Sequence, residues 1–112
     1  MKTASAKAKG RRLCQKVKET LLSWAPDLSG DDIVVTSSGD TGEDLKLSPA
    51  ARAVYPLAIE CKNQESINIW AALEQARGHQ REDAFPAVCF TRNREARVYV
   101  AMDLEHFLRL VR

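Results

Sequence analysis

The sequence predicts an α/β domain: a mixed central sheet of about five strands flanked by helices, in the order α-β-β-β-α-β-β-α. Two observations carry this expectation. Apolar residues recur at helical spacing near the start, in the middle and at the end of the chain. Between those stretches lie five short segments of strand character, IVVTSS, EDLKL, LAIECK, FPAVCFT and RVYVAM, most of them bounded by turn signals. Helices interleaved with strands pack on the faces of a sheet.

Each element has its own signal. Leu13, Val17, Leu21 and Trp24 make one apolar stripe on a helix from Gly10, and Pro26 stops it. SGDD is a turn before the β-branched strand IVVTSS, and GDTG is a turn after it. EDLKL alternates, with Leu45 and Leu47 facing one way and Asp44 and Lys46 the other. SPAARAVYP, bracketed by prolines, is expected to be a loop. Ser66 is placed as the cap of a helix to about Glu82, with Ile69, Trp70, Leu73 and Ala76 as its buried side. FPAVCFT and RVYVAM pair across RNREA. Asp103 then caps a last helix with the stripe Leu104, Phe107, Leu108 and Val111. Trp24, Trp70 and Phe85 read as core aromatics.

At 112 residues the chain is expected to hold one domain, residues 10–112, behind a Lys/Ala/Ser-rich arm, residues 1–9, expected to be disordered. No apolar run approaches the roughly 18 residues of a membrane span. The basic N-terminus has no apolar segment behind it and does not read as a secretory signal. Cys14, Cys61 and Cys89 are far apart, with no CxxC pair. That spacing predicts a reducing, cytoplasmic compartment and no zinc site.

The net charge of +2 hides an asymmetry. Residues 1–18 carry seven Lys or Arg and no acid, while residues 31–44 carry five acids and no base. A basic arm can hold a polyanion, and clustered acids can hold the cations that polyanion chemistry uses. A merely solubilising tail would show the same charge.

The chemistry centres on YPLAIECKN, residues 55–63. Glu60 and Lys62 share a strand face with Ala58, while Leu57, Ile59 and Cys61 take the other. Asp44 lies near the end of the preceding strand, which is expected to pair with this one. Two carboxylates on neighbouring strands repel unless a cation lies between them. Hard oxygen ligands suit Mg²⁺, with Mn²⁺ as a substitute. A lysine beside them can orient water or stabilise charge on a phosphate. This is equipment for metal-assisted phosphodiester hydrolysis.

Asp44, fifteen intervening residues, then Glu60-x-Lys62 resembles the PD-(D/E)XK nuclease superfamily. GEDLKLSPAAR, ECKNQES and ALEQA resemble small phage and bacterial nucleases of Holliday-junction-resolvase type, over most of the chain from Gly10 onward. The resemblance implies a restriction-endonuclease-like core. It implies Asp44, Glu60 and the Cys61 backbone carbonyl as metal ligands, Lys62 as the catalytic lysine, and Gln75 reaching back from the following helix. It also implies an acid on the first helix, for which Glu19, one turn after Gln15, is the candidate. The chain departs from the pattern at Glu43, which stands where the family name has a proline.

Around that centre, Arg11, Arg12 and Lys16 are expected to contact phosphate backbone, and Ser48 with Arg52 to hold a phosphate next to the scissile one. Asp31, Asp32 and Asp40 read as turn residues, Glu43 is expected to point away from Asp44, and a lone His79 is more simply structural. The expected function is a metal-dependent endonuclease acting on DNA, favouring branched junctions by resemblance and working as a homodimer in a bacterial cell or phage-infected host. The alternatives are another nuclease of the same fold (a nickase, repair or restriction-like enzyme), a non-catalytic nucleic-acid-binding module, and an interaction protein whose acids are surface decoration.

Overall fold

The computed structural model describes residues 4–36 and 43–112. Ser37–Ser38 of the expected first strand, the GDTG turn with Asp40, and residues 1–3 of the expected arm lie outside the described residues. The rest forms one five-stranded mixed sheet in the order β1-β2-β3-β4-β5, with helices on both faces. The strands are β1 (Ile33–Val35), β2 (Leu45–Leu47), β3 (Leu57–Asn63), β4 (Phe85–Thr91) and β5 (Tyr99–Met102). The helices are α1 (Ala4–Ser23), α2 (Pro49–Val54), α3 (Ile69–Arg77) and α4 (Leu104–Val111), with a 3-10 turn at Gly30–Asp32.

Pairing is antiparallel for β1–β2, β2–β3 and β4–β5, and parallel for β3–β4. The parallel pair needs a crossover, and α3 supplies it. Alternation along β3 then sorts two cores. On one face Leu13, Cys14 and Val17 of α1 pack on Ile33, Leu45, Leu47, Ile59, Cys61 and Cys89. On the other, Ala72 and Ala76 of α3 pack on Val88, with Leu73, Phe90 and Ala101 around them. Glu60 pairs in register with Val88 and Lys62 with Phe90, so both belong to the α3 face.

Several expectations need correction. α1 begins at Ala4, six residues before Gly10, because the Ala- and Lys-rich segment has high helix propensity and continues the helix into solvent. SPAARAVYP is not a loop. Ser48 caps α2 by accepting from the Ala51 N–H, and Pro49 occupies the first turn, where its missing donor matters least. α3 is shorter than expected: Asn68 rather than Ser66 accepts the capping bond, and Gly78 ends the helix. Two aromatics are not core. Trp24 is 82% and Trp70 79% exposed. Trp24 lies past the last turn of α1, and α3 approaches the sheet through alanines, which leaves its bulky residue on the rim. The stripe of α4 is also exposed at Leu104, Phe107, Leu108 and Val111, although Asp103 caps the helix as expected. Among the described residues no helix is long and apolar enough to cross a membrane.

Candidate active site

Asp44 is fixed by its backbone before its side chain acts. Its N–H donates to the Ile59 carbonyl, and its own carbonyl accepts from the Thr36 N–H and hydroxyl. β2 starts one residue later. At that point the Asp44 carboxylate replaces a backbone acceptor: Oδ2 takes the Cys61 N–H at 2.7 Å. In an antiparallel pair the N–H and C=O of one residue point to the same neighbour. The Cys61 carbonyl therefore faces the same edge as Asp44.

Glu60 is 1% exposed. Burial pushes its carboxyl up to about 8, reinforced by the charge of Asp44 and a hydrogen bond between the two carboxyls. Lys62 opposes the shift, and Glu43 adds to it. Lys62 Nζ donates to Gln75 Oε1 at 2.7 Å, and Gln75 Nε2 lies 3.5 Å from Glu60 Oε2. Gln75 thus bridges the lysine and the acid from α3, thirteen and fifteen residues further along the chain. His79, just past the end of α3, brings Nδ1 to 2.5 Å from Glu60 Oε1. At that distance His79 is the group facing this oxygen, as the protonated partner of the carboxylate or as a neighbour sharing a proton with it.

Asp44, Glu60, Cys61, Lys62 and Gln75 therefore converge, at distances that hydrogen bonds or shared charge define. Other expected residues stand elsewhere. Glu19 is exposed and accepts a 3.4 Å bond from Gln15. The α1 residue next to the acids is Cys14, whose Sγ lies within 4.8 Å of both an Asp44 oxygen and Cys61 Sγ. Ser48 is occupied as the α2 cap and donates to Asp32 Oδ1, which holds the Asp32 carboxyl below its usual range. Arg52 pairs with Asp83 and donates to the Leu47 carbonyl. Lys16 donates to the Ala96 carbonyl, whereas Arg11 and Arg12 are exposed on α1.

Sequence reasoning set aside two residues that belong here. Glu43, expected only to point away from Asp44, is buried, pairs with Arg81 at 3.0 Å and adds to the upward shift of Glu60. His79 touches the central acid. The spacing from Gln75 to His79, one helical turn, was the available signal for the latter. The three cysteines, widely spaced in sequence, share one core cluster under α1. No family model, curated protein or solved structure matches the chain.

Proposed function

We propose that the chain is a Mg²⁺-dependent endonuclease of PD-(D/E)XK type that hydrolyses DNA phosphodiester bonds, with branched DNA as its favoured substrate. The observation that carries this reading is the carboxyl pair. Glu60 is buried beside the carboxyl of Asp44, an arrangement that a proton or a cation must neutralise. The donors fit a hard cation: the two carboxyls are close enough to interact, and the Cys61 carbonyl points to the strand edge that carries Asp44. Asp44, Glu60 and that carbonyl would hold the ion. When bound, it supplies Lewis acidity toward a phosphate oxygen and lowers the pKa of a coordinated water.

The chain's own groups do the rest. Gln75 holds the Lys62 ammonium by its amide oxygen, which fixes a positive charge beside the acids before substrate arrives. A preorganised charge of this kind stabilises negative charge that develops on phosphate without reorganising first. α3 covers the site's face of the sheet and limits water around it. The basic N-terminal half of α1, with Lys7, Lys9, Arg11 and Arg12, supplies contacts to the phosphate backbone. No base-reading motif accompanies them, so recognition rests on shape. A C2 dimer joined through the exposed β5 edge and the apolar face of α4 would place two sites in the symmetry of a four-way junction.

The test is to incubate the protein with duplex, single-stranded and four-way-junction DNA, with Mg²⁺, Mn²⁺ or EDTA, and to map the ends. Cleavage should require the metal, and Lys62→Ala should abolish it while DNA binding persists. A Lys62→Ala protein that cuts at near the wild-type rate in Mg²⁺ would refute the site. Mapped ends separate a resolvase from a nickase or restriction-like enzyme of the same fold.

A further inference from the structure

The proposed reaction uses one side of Asp44 only. Glu60 and Lys62 leave β3 toward α3, but Cys61 between them leaves toward α1, where Cys14 meets it. Cys14 Sγ, Cys61 Sγ and a carboxylate oxygen of Asp44 all lie within 4.8 Å of one another. Cys89 is the register partner of Cys61 on β4, so its thiol shares that face, though it falls outside this spacing. All three thiols are free.

We infer that Cys14, Cys61 and Asp44 form a binding site for one thiophilic divalent cation of the zinc class, and that this ion and the hard catalytic cation exclude one another because both need Asp44. Two sulfurs and one oxygen match zinc's preference and are poor donors for magnesium. Zinc–sulfur bonds of about 2.3 Å and zinc–oxygen bonds of about 2.0–2.2 Å place tetrahedral donors roughly 3.5–3.8 Å apart. Closing from 4.8 Å at most requires a shift of about an ångström, within reach of cysteine rotamer adjustment. Buried cysteines alone are ordinary small apolar residues. What distinguishes these is a carboxylate oxygen within 4.8 Å of both sulfurs at the edge of an apolar core. Three ligands leave a fourth position open. The site stands on this geometry alone; the mutual exclusion rests on the nuclease reading.

The experiment uses reduced, metal-free full-length protein under anaerobic conditions, titrated with Cd²⁺ and with Co²⁺. A sulfur-to-metal charge-transfer band should rise and saturate at one equivalent per chain. Cys14→Ser or Cys61→Ser should each weaken binding at least tenfold, Asp44→Asn should weaken it, and Cys89→Ser and Glu60→Gln should leave the band in place. Absence of the band in the wild-type protein overturns the site without recourse to any variant, and a band that survives Cys14→Ser overturns the ligand assignment. Zn²⁺ should inhibit Mg²⁺-dependent cleavage, with inhibition relieved by raising Mg²⁺. Inhibition that persists unchanged in Cys14→Ser, or no inhibition at all, overturns the shared ligand. A one-equivalent sulfur band in a protein that cuts no DNA would support the thiolate site and defeat the nuclease reading separately.

Discussion

Replacing Glu60 by glutamine should make the metal-free protein more stable, even though it removes a residue from the proposed active site. The folded carboxyl titrates near 8, against an ordinary value of 4.5. Between those values the folded state holds a proton that the unfolded state has released. Stability therefore falls as pH rises through this window, and it is greatest below the lower value. At pH 7 the difference spans 2.5 units from 4.5, which at about 1.4 kcal/mol per unit amounts to roughly 3 kcal/mol. At pH 5 the same arithmetic leaves under about 1 kcal/mol. Glutamine has no proton to regain, and its amide can still donate to Asp44. Glu60→Gln should thus unfold later than wild type by about 2–3 kcal/mol at pH 7, on the order of 10 °C for a domain of this size. The gap should shrink at pH 5. Thermal melts followed by circular dichroism, in EDTA at both pH values, measure this. A variant no more stable than wild type at pH 7, or a gap that does not narrow on acidification, would show that Glu60 is not held neutral by burial and Asp44.

Gln75→Ala removes the acceptor that holds Lys62; cleavage turnover should fall by about ten- to a hundredfold with little change in DNA affinity, which single-turnover kinetics beside binding isotherms will separate. Alanine at Lys7 and Lys9 should lower affinity for all DNA sequences alike and reduce the log–log salt slope by up to roughly 0.9 per lost phosphate contact; an unchanged slope would mean that this end of α1 does not touch nucleic acid. Phe107→Glu on α4 should convert a dimer to a monomer in light scattering and reduce preference for junctions over duplex of equal length, whereas a wild-type monomer that cuts both equally would remove the resolvase reading.

The sheet was readable because its signals are local. Alternation in LKL and LAIECK sets which side chains share a face, and burial at Leu45, Leu47 and Ile59 follows it. The convergence of Asp44, Glu60 and Lys62 was readable for the same reason, since two adjacent strands leave few other arrangements, whereas Gln75 was expected there from the resemblance. What the sequence did not reveal depends on distant packing. Ser48 and Arg52 looked like free polar groups on a loop, but a capping bond and an ion pair with Asp83, thirty-one residues on, occupy them. Glu43 was expected only to point away from Asp44; its burial and its pair with Arg81, thirty-eight residues on, had no local signal. Three cysteines without a spacing motif became neighbours only because α1 lies across β3 and β4. The tryptophans failed differently: apolar periodicity marks a face but not whether small residues elsewhere on it bring the backbone close enough to cover a large one.

The Asp44 bond to the Cys61 amide means that this carboxylate is also a piece of strand pairing. A substitution there changes two things at once, and the choice of replacement decides which is seen. Asparagine keeps an oxygen for the amide while discarding the charge, so Asp44→Asn isolates the electrostatic role. Alanine leaves a buried N–H with no acceptor at the point where β2 begins, a defect worth about 1–3 kcal/mol on its own. An inactive Asp44→Ala protein would therefore say little about catalysis until its amide exchange at Cys61 had been compared with that of Asp44→Asn. In this molecule a residue of the proposed site is also a joint of the scaffold, and the two duties can be dissected only by a replacement that respects one of them.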